Sequence, residues 1–268
     1  MKIGIITSGS ETLTLFKFLS TYDHDYVVYY DFFHWPYGDK TFDQSLACVE
    51  KGIEYLLKQG VETIIVPPVY ELALLDKKSK SPVLPLFTTY LFDECFKHSL
   101  VGKFGLFGDF ADVEQAQLLI KKLEKTYTLT ADQKAIKKFH SPFVYRIKET
   151  PLWKYYLTSL SYSNILINKI VKFDLRYFKD AMVDTLIPLN YGYFHYQTTI
   201  TKYLNFKKIR FHTLKKVEDI FASFKLKESK TYAVRIAYTG NCDLLIREKR
   251  LMWLLQKGKT TKIVWDKI

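Results

Sequence analysis

The sequence predicts an α/β fold made of two βα halves with mostly parallel sheets. Short apolar, β-branched segments alternate along the chain with amphipathic segments of helical period, which is the pattern of βα units. The alternation is clearest over residues 101–129. Glycine and proline are few, at 11 and 8 residues, so the chain is neither loop-rich nor disordered. Its 268 residues, 48% of them hydrophobic, suit one large domain or two small ones.

The first part of the chain predicts three strands, each followed by a helix. Asp31 ends the second strand, Thr41 fits the N-cap position of the next helix, and Gly60 ends that helix. Pro67-Pro68 stands at the carboxyl end of the third strand, where layered α/β folds normally place their chemistry. Proline offers neither a nucleophile nor a backbone N–H there. The predicted strands cover 3–6, 26–30 and 61–66, and the predicted helices begin near Thr12, Thr41 and Glu71.

The second part continues the alternation but contains one long helical stretch. Asp112 is predicted to cap a strongly patterned helix, and the pattern over 132–182 is mostly helical. Further strands are predicted over 101–107, 184–189 and 232–238, with helices over 214–224 and 242–256. Residues 262–265 are either a last strand or a tail packed on the first domain. The chain therefore divides into a first α/β domain (1–97), a second (98–212) and a C-terminal return (213–268) that packs on the first.

The formal net charge of +12 is unevenly distributed. Residues 1–95 hold 8 lysines and 13 acidic residues, a balance of −5, and residues 96–268 hold 32 basic and 15 acidic residues, a balance of +17. A basic surface attracts nucleic acid or an acidic protein, although no nucleic-acid motif accompanies the charge. One hypothesis is therefore a binding role for a basic patch of Lys121, Lys122, Lys202, Lys207, Lys208, Arg210, Lys215 and Lys216.

The three cysteines, Cys48, Cys95 and Cys242, are odd in number and widely spaced. The spacing indicates neither a disulfide framework nor a zinc site, so we expect no metal. The apolar runs are too short for a signal peptide or a transmembrane helix. We therefore expect a cytoplasmic protein in a reducing compartment, without a membrane partner.

Several segments together resemble one known family. They are Ile3-Gly4-Ile5-Ile6-Thr7-Ser8-Gly9 followed by Leu13-Thr14, Asp31 with Pro36-Tyr37-Gly38, Asp184-Thr185-Leu186-Ile187, Thr239-Gly240 with Asp243, and Lys262-Ile263-Val264. In this order and spacing the chain resembles glutamate racemase, of the aspartate/glutamate racemase superfamily, over nearly its whole length. The resemblance implies two pseudosymmetric α/β domains, a site in the cleft between them and a tendency to dimerise.

The resemblance also implies a reaction without a cofactor. One cysteine thiolate removes the α-proton of an amino acid while an opposed thiol protonates the other face. Because that proton is weakly acidic, both groups must be close and correctly protonated.

The catalytic positions of the family carry other residues in this chain. The first cysteine falls on Pro68, the second on Asn190, the opening aspartate on Thr7, and the histidine on Gly192. Proline carries no proton, and the asparagine amide does not titrate usefully. Some of the pocket is retained by the same comparison. The ligand-binding positions implied are Ser8, Gly9, Pro36, Tyr37, Gly38, Val69, Tyr70, Asn190 and Tyr191.

The leading hypothesis is a racemase-like protein without two-cysteine racemase activity, which binds a small acidic ligand or a partner and needs no cofactor. The alternative is an isomerase, racemase or lyase that acts on an amino acid or small carboxylate with other acid/base groups. His195, shortly after the second motif strand, is the candidate acid or base for that chemistry. The other candidates are Asp31, His34, Tyr37, Tyr70, Glu71, Asn190, Tyr193 and Cys242.

Overall fold

The computed structural model describes residues 1–7, 9, 11–34, 40–126, 134, 138, 143–158, 165–205, 208–229, 231–241, 243, 249–256 and 263–268. The strands are β1 (Lys2–Thr7), β2 (Asp25–Asp31), β3 (Thr63–Ile65), β4 (Lys103–Gly108), β5 (Val144–Glu149), β6 (Thr185–Pro188), β7 (Arg210–Phe211), β8 (Ala233–Thr239) and β9 (Ile263–Lys267). The helices are α1 (Glu11–Leu19), α2 (Phe42–Lys58), α3 (Pro68–Asp76), α4 (Leu86–Thr89), α5 (Phe110–Thr126), α6 (Pro151–Thr158), α7 (Ile165–Asp180), α8 (Gln197–Leu204), α9 (Leu214–Ser223) and α10 (Lys249–Gln256). A π-helical segment (Tyr90–Phe96) continues α4, and a 3-10 helix (Tyr191–Tyr196) leads into α8.

The strands form two parallel sheets, which confirms the predicted fold class. The first has the order β3-β1-β2-β8-β9 and the second has the order β5-β4-β6-β7. Every strand pairing among the described residues is parallel. The first sheet therefore takes strands from both ends of the chain, whereas the second is formed by the middle. Parallel strands present all their carboxyl ends at one edge, where ligand sites of such sheets are found.

Helix α2 begins and ends where its sequence predicts. The Thr41 hydroxyl accepts a hydrogen bond from the Gln44 N–H, and the Gln44 side chain accepts one from the Thr41 N–H, which completes a capping box. Its inner face, including Val49, Ile53 and Leu56, packs in a hydrophobic cluster under the first sheet. Gly60 follows the helix at φ +72°, a left-handed conformation that glycine adopts without steric cost.

Two predictions for the second part are wrong. Residues 144–149, within the stretch expected to be helical, form β5, an edge strand parallel to β4. An edge strand is only partly buried, so it lacks the continuous apolar run by which buried strands are recognised. Helix α5 begins at Phe110 rather than after Asp112, and the Val113 N–H donates to the Asp109 carbonyl.

The last strand, one of the two possibilities for 262–265, is confirmed as β9, which pairs with β8 at the edge of the first sheet. The possible strand at 127–129 lies outside the described residues. In the part of the chain that the structure describes, no helix combines the length and hydrophobicity needed to cross a membrane.

Candidate functional site

The carboxyl ends of β1, β3 and β6 carry three of the four positions that the resemblance identifies as catalytic. Thr7 ends β1, Pro68 is the first residue of α3 after β3, and Asn190 precedes the 3-10 helix after β6. Helix α1 packs against this 3-10 helix, so the edge of one sheet meets the edge of the other.

Glu11, in the first turn of α1, joins two of these positions. The Thr7 hydroxyl donates a hydrogen bond to Glu11 Oε2 at 2.8 Å, and the Asn190 amide donates one to Oε1 at 2.7 Å. Thr7 is fully buried and Glu11 is 4% exposed. A carboxylate at the start of a helix interacts favourably with the helix dipole. Thr7 and Asn190 are therefore held by an internal carboxylate across the contact between α1 and the 3-10 helix.

The Asn190 side chain is used at both ends. While its nitrogen donates to Glu11, its oxygen accepts the Gly192 N–H at 2.7 Å and caps the 3-10 helix. This is the side-chain capping for which asparagine is favoured at turns and helix starts. The residue at the second cysteine position thus has a structural role, as does Gly192, at the histidine position, through its backbone.

Pro68 contributes packing and no proton carrier. It lies buried at the first position of α3, where the lack of an N–H costs nothing because that N–H has no partner in a helix. Three residues later, Glu71 is fully buried, and its carboxylate accepts the N–H groups of Phe87 at 2.9 Å and Thr88 at 2.7 Å. Burial raises the pKa of Glu71 to about 7, although these hydrogen bonds oppose the shift. Glu71 therefore tethers α3 to the start of α4.

Two predicted ligand-binding tyrosines are buried and neutral. Tyr70 stacks on Phe42 at 5.5 Å between ring centroids, with its hydroxyl in hydrogen-bond reach of Ser45. Burial raises its pKa well above the ordinary value, and the Asp112 carboxylate adds to the shift. Tyr191 is also buried, and burial, reinforced by Glu71 and Glu11, raises its pKa in the same way. Both phenols can donate hydrogen bonds but cannot act as bases near neutral pH.

The remaining predicted site residues are divided between core, partly exposed surface and undescribed positions. Val69 is 1% exposed and packs in the main hydrophobic cluster, and Tyr193 is buried against Phe107 and Trp153. His195 lies half-buried in the 3-10 helix. Gly9 is buried after β1, and its N–H donates to the Thr7 hydroxyl at 3.2 Å. Ser8, Pro36, Tyr37, Gly38 and Cys242 lie outside the described residues.

Cys48 and Cys95 do not face each other across the two sheets. Cys48 packs in the cluster beneath the first sheet, and Cys95 is fully buried in the π-helical segment within the main cluster. Burial raises the pKa of both thiols, and the Asp31 carboxylate raises that of Cys48 further. Neither thiol is activated as a nucleophile or a base.

A second group of polar side chains lies at the end of β2. Asp31 is 1% exposed and accepts hydrogen bonds from His34 Nδ1 at 2.9 Å and from the Thr239 hydroxyl at 2.9 Å. Ligand atoms of Asp31, His34 and Cys48 lie within 4.8 Å of one another. Thr239 belongs to the late motif that the resemblance rests on, so the structure brings that motif to the end of β2.

Several basic residues proposed as a binding patch are paired with acidic ones. Lys122 contacts Asp76 at 2.6 Å, Lys215 lies 3.2 Å from Glu218, and Lys216 lies 3.4 Å from Glu94. The Arg210 guanidinium donates to the His98 carbonyl and lines a groove with Lys208. Lys207 lies outside the described residues.

Glu11 is the site residue that sequence reasoning missed. It stands where the family's opening motif has the first of two adjacent glycines, in a chain that otherwise follows that motif through Gly9 and Leu13-Thr14. The available signal was a carboxylate at a glycine position of the motif, four residues after Thr7, which the resemblance aligns with the family's aspartate.

Comparison with solved structures identifies the fold. Glutamate racemase from Thermus thermophilus, in complex with β-chloro-D-alanine, superposes with a TM-score of 0.71 at 18% identity over 100% of this chain and 96% of that one. Glutamate racemase from Francisella tularensis, in complex with D-glutamate, gives a TM-score of 0.70 at 18% identity over 98% and 97%. Aspartate racemase from Picrophilus torridus gives 0.52 at 15% identity over 85% and 96%.

No protein-family model matches the sequence, and no curated protein sequence matches it at a significant level. The resemblance inferred from the motifs is thus confirmed in three dimensions, at identities too low to carry an activity. Over almost its entire length, this chain has the fold of the glutamate racemases.

Proposed function

We propose that this protein is a non-racemising relative of the glutamate racemases that serves as a binding protein. The observation that carries the proposal is the Glu11 bridge between Thr7 and Asn190. At two of the positions where the family's chemistry would occur, the side chains are committed to one internal hydrogen-bond network. At the third, Pro68 has no proton to transfer.

The energetics support this assignment. Loss of one positioned proton carrier lowers the rate of such a reaction by roughly two to four powers of ten. In this chain both thiol positions and the aspartate position are replaced, and Tyr70 and Tyr191 remain neutral phenols. Cys48 and Cys95 are packed in separate hydrophobic clusters.

The test is solvent exchange at the α-carbon. Purified protein is incubated in deuterated water with L-glutamate and, separately, with L-aspartate, and deuterium at Cα is measured by mass spectrometry. We expect no incorporation above a protein-free control, while an active glutamate racemase in the same buffer exchanges the proton. Incorporation by this protein would contradict the proposal.

The predicted small acidic ligand would have to share the start of α1 with Glu11. Helix N-termini bind anions through their free N–H groups, and Glu11 already places a negative charge in the first turn. A ligand carboxylate bound there should therefore bind more tightly to Glu11→Gln than to the unsubstituted protein. Calorimetric titration of both proteins with L-glutamate measures this, and equal or weaker binding to the variant would place the ligand elsewhere or exclude it.

One observation favours the alternative of an enzyme with changed chemistry. Glu11 brings a carboxylate to the end of β1, beside Thr7, where the resemblance places the family's aspartate. A carboxylate is a competent general base. If the exchange experiment gives incorporation that Glu11→Gln abolishes, the protein is an isomerase or racemase with Glu11 as the base. If incorporation survives Glu11→Gln, another group performs the proton transfer.

A further inference from the structure

Three side chains with metal-binding atoms converge at the carboxyl end of β2. Asp31 is the last residue of β2, His34 follows three residues later, and Cys48 projects from α2. One ligand atom from each lies within 4.8 Å of the other two. Asp31 and Cys48 are buried, at 1% and 8% exposure, while the His34 side chain is 34% exposed. Asp31 and Cys48 are thus buried, and His34 is partly open to solvent.

The donor set matches zinc. Carboxylate oxygen, imidazole nitrogen and cysteine sulfur are the three ligand types that Zn²⁺ takes from proteins, at bond lengths of about 2.0 to 2.3 Å. A tetrahedral arrangement with those bonds places the ligand atoms about 3.3 to 3.6 Å apart. The contact between Asp31 and His34, at 2.9 Å, has to open by a few tenths of an ångström. Because all three ligand atoms lie within 4.8 Å of one another, no other separation has to close by more than about 1.5 Å.

Neighbouring groups hold the Asp31 carboxylate in position. Its Oδ1 accepts the Thr239 hydroxyl at 2.9 Å and the His34 backbone N–H at 3.3 Å. The Thr239 oxygen in turn accepts the Phe33 N–H at 3.1 Å. Hydrogen-bonded partners of this kind orient metal-ligating carboxylates and are a regular part of metal sites.

An ion pair alone accounts for only part of this arrangement. A salt bridge between Asp31 and His34 explains why those two residues meet, but it gives no reason for a thiol within 4.8 Å of both. A metal ion uses all three.

We propose that Asp31, His34 and Cys48 bind one Zn²⁺ ion, with the fourth coordination position taken by water or a ligand. On binding, the Cys48 thiol releases its proton to solvent and the sulfur coordinates as the thiolate. The ion would link His34, in the connection between β2 and α2, to Asp31 in β2 and Cys48 in α2. It would also add positive charge at the sheet edge where Thr7 lies, since Thr7 pairs in register with Tyr30.

The test uses Co²⁺ as a spectroscopic substitute for Zn²⁺. The protein is stripped of metal with a chelator and titrated with Co²⁺, and binding is followed by the near-ultraviolet thiolate-to-cobalt charge-transfer band. We expect saturation at one equivalent, reversal by Zn²⁺, and loss of the band in Cys48→Ser. Asp31→Asn and His34→Ala should weaken zinc binding by more than the roughly 10- to 100-fold that an outer partner contributes, and Thr239→Val should weaken it within that range.

The matched controls are Cys95→Ala and His98→Ala, which remove the same residue types elsewhere and should leave the titration unchanged. X-ray absorption spectroscopy at the zinc edge, on the unsubstituted protein, requires no variant. It should show one sulfur ligand together with nitrogen and oxygen ligands. The proposal is overturned by a lack of stoichiometric binding, by a zinc shell without sulfur, or by a charge-transfer band that persists in folded Cys48→Ser.

Discussion

The Asn190 side-chain amide donates a 2.7 Å hydrogen bond to Glu11 Oε1 across 179 residues of sequence. It links the segment after β6, in the second sheet, to the first turn of α1, which follows the first strand of the other sheet. The hydrogen bond therefore joins the two sheets, and mutation can measure what it contributes to stability.

Glu11→Ala is expected to lower the free energy of unfolding by about 1 to 3 kcal/mol, because the buried Thr7 hydroxyl and the partly buried Asn190 amide each lose an acceptor. Urea unfolding followed by circular dichroism measures the change. The control is Glu50→Ala, which breaks an exposed contact with Lys77 and should cost less than about 1 kcal/mol. Equal losses in the two variants would mean that the Glu11 network does not stabilise the fold.

Glu71 should make stability fall as the pH rises. Its pKa is raised by burial to about 7 in the folded protein, against 4.5 for an ordinary glutamate. Between these values the folded chain keeps a proton that the unfolded chain has released, so the stabilisation is complete below about pH 4.5 and lost through pH 7. The difference amounts to about 3 kcal/mol. Because other groups also titrate, the quantity to follow from pH 4.5 to 8 is the difference in unfolding free energy between the unsubstituted protein and Glu71→Gln, which should show this slope. A difference that does not change with pH would contradict the prediction.

His212 should act in the opposite direction. Burial lowers its pKa from 6.5 to about 4, with His98, Lys216 and Arg210 adding to the shift. The Glu94 carboxylate lies 3.7 Å from His212 Nδ1. Because it is also paired with Lys216, it does not reverse the lowering of the His212 pKa.

Between pH 6.5 and 4 the unfolded chain takes up the proton first, so the contribution of His212 is present above pH 6.5 and is lost on acidification, by about 3 kcal/mol. His212→Gln should therefore retain more of its neutral-pH stability at pH 5 than the unsubstituted protein does. A variant that loses stability on acidification to the same extent would exclude His212 as the source. The Glu71→Gln measurements serve as the comparison, because the Glu71 contribution to stability changes with pH in the opposite direction.

Gly105→Ala should destabilise the second sheet by overpacking. A Cβ at this position in β4 would lie 2.6 Å from Phe178 Cδ1 and 2.7 Å from Leu186 Cδ2, both of them buried. We expect a loss of about 1 to 3 kcal/mol in unfolding free energy. Phe178→Leu reduces the crowding, so the double variant should lose less than the sum of the two single ones. Strict additivity would show that the added methyl group does not meet Phe178.

Local patterns were reliable where one face of an element is buried and its ends are marked. Helix α2 shows this, because Thr41 and Gly60 mark its ends and its apolar positions recur at helical spacing. Strand β5 was missed because an edge strand is half-exposed and mixes polar with apolar residues. The absence of cysteine at the aligned motif positions stays a prediction from the family resemblance.

The site itself was only partly predictable. Thr7, Pro68 and Asn190 were identified from the family resemblance, but what occupies the space between them was not. Glu11 was overlooked because a glutamate in the first turn of a helix is ordinary by itself. The grouping of His34 with Cys48 has no signature either, because their spacing fits no ligand motif.

The α/β class of the fold, the mostly parallel sheets and most of the alternation of strands and helices could be predicted from the amino-acid sequence alone. These follow from side-chain chemistry and from periodicity over a few neighbouring residues. The contact between Glu11 and Asn190, and the position of Asp31 beside both Cys48 and Thr239, could be known only from the three-dimensional structure. Parallel sheets bring together strand ends that are far apart in the chain, and which ends become neighbours depends on the packing of the whole molecule.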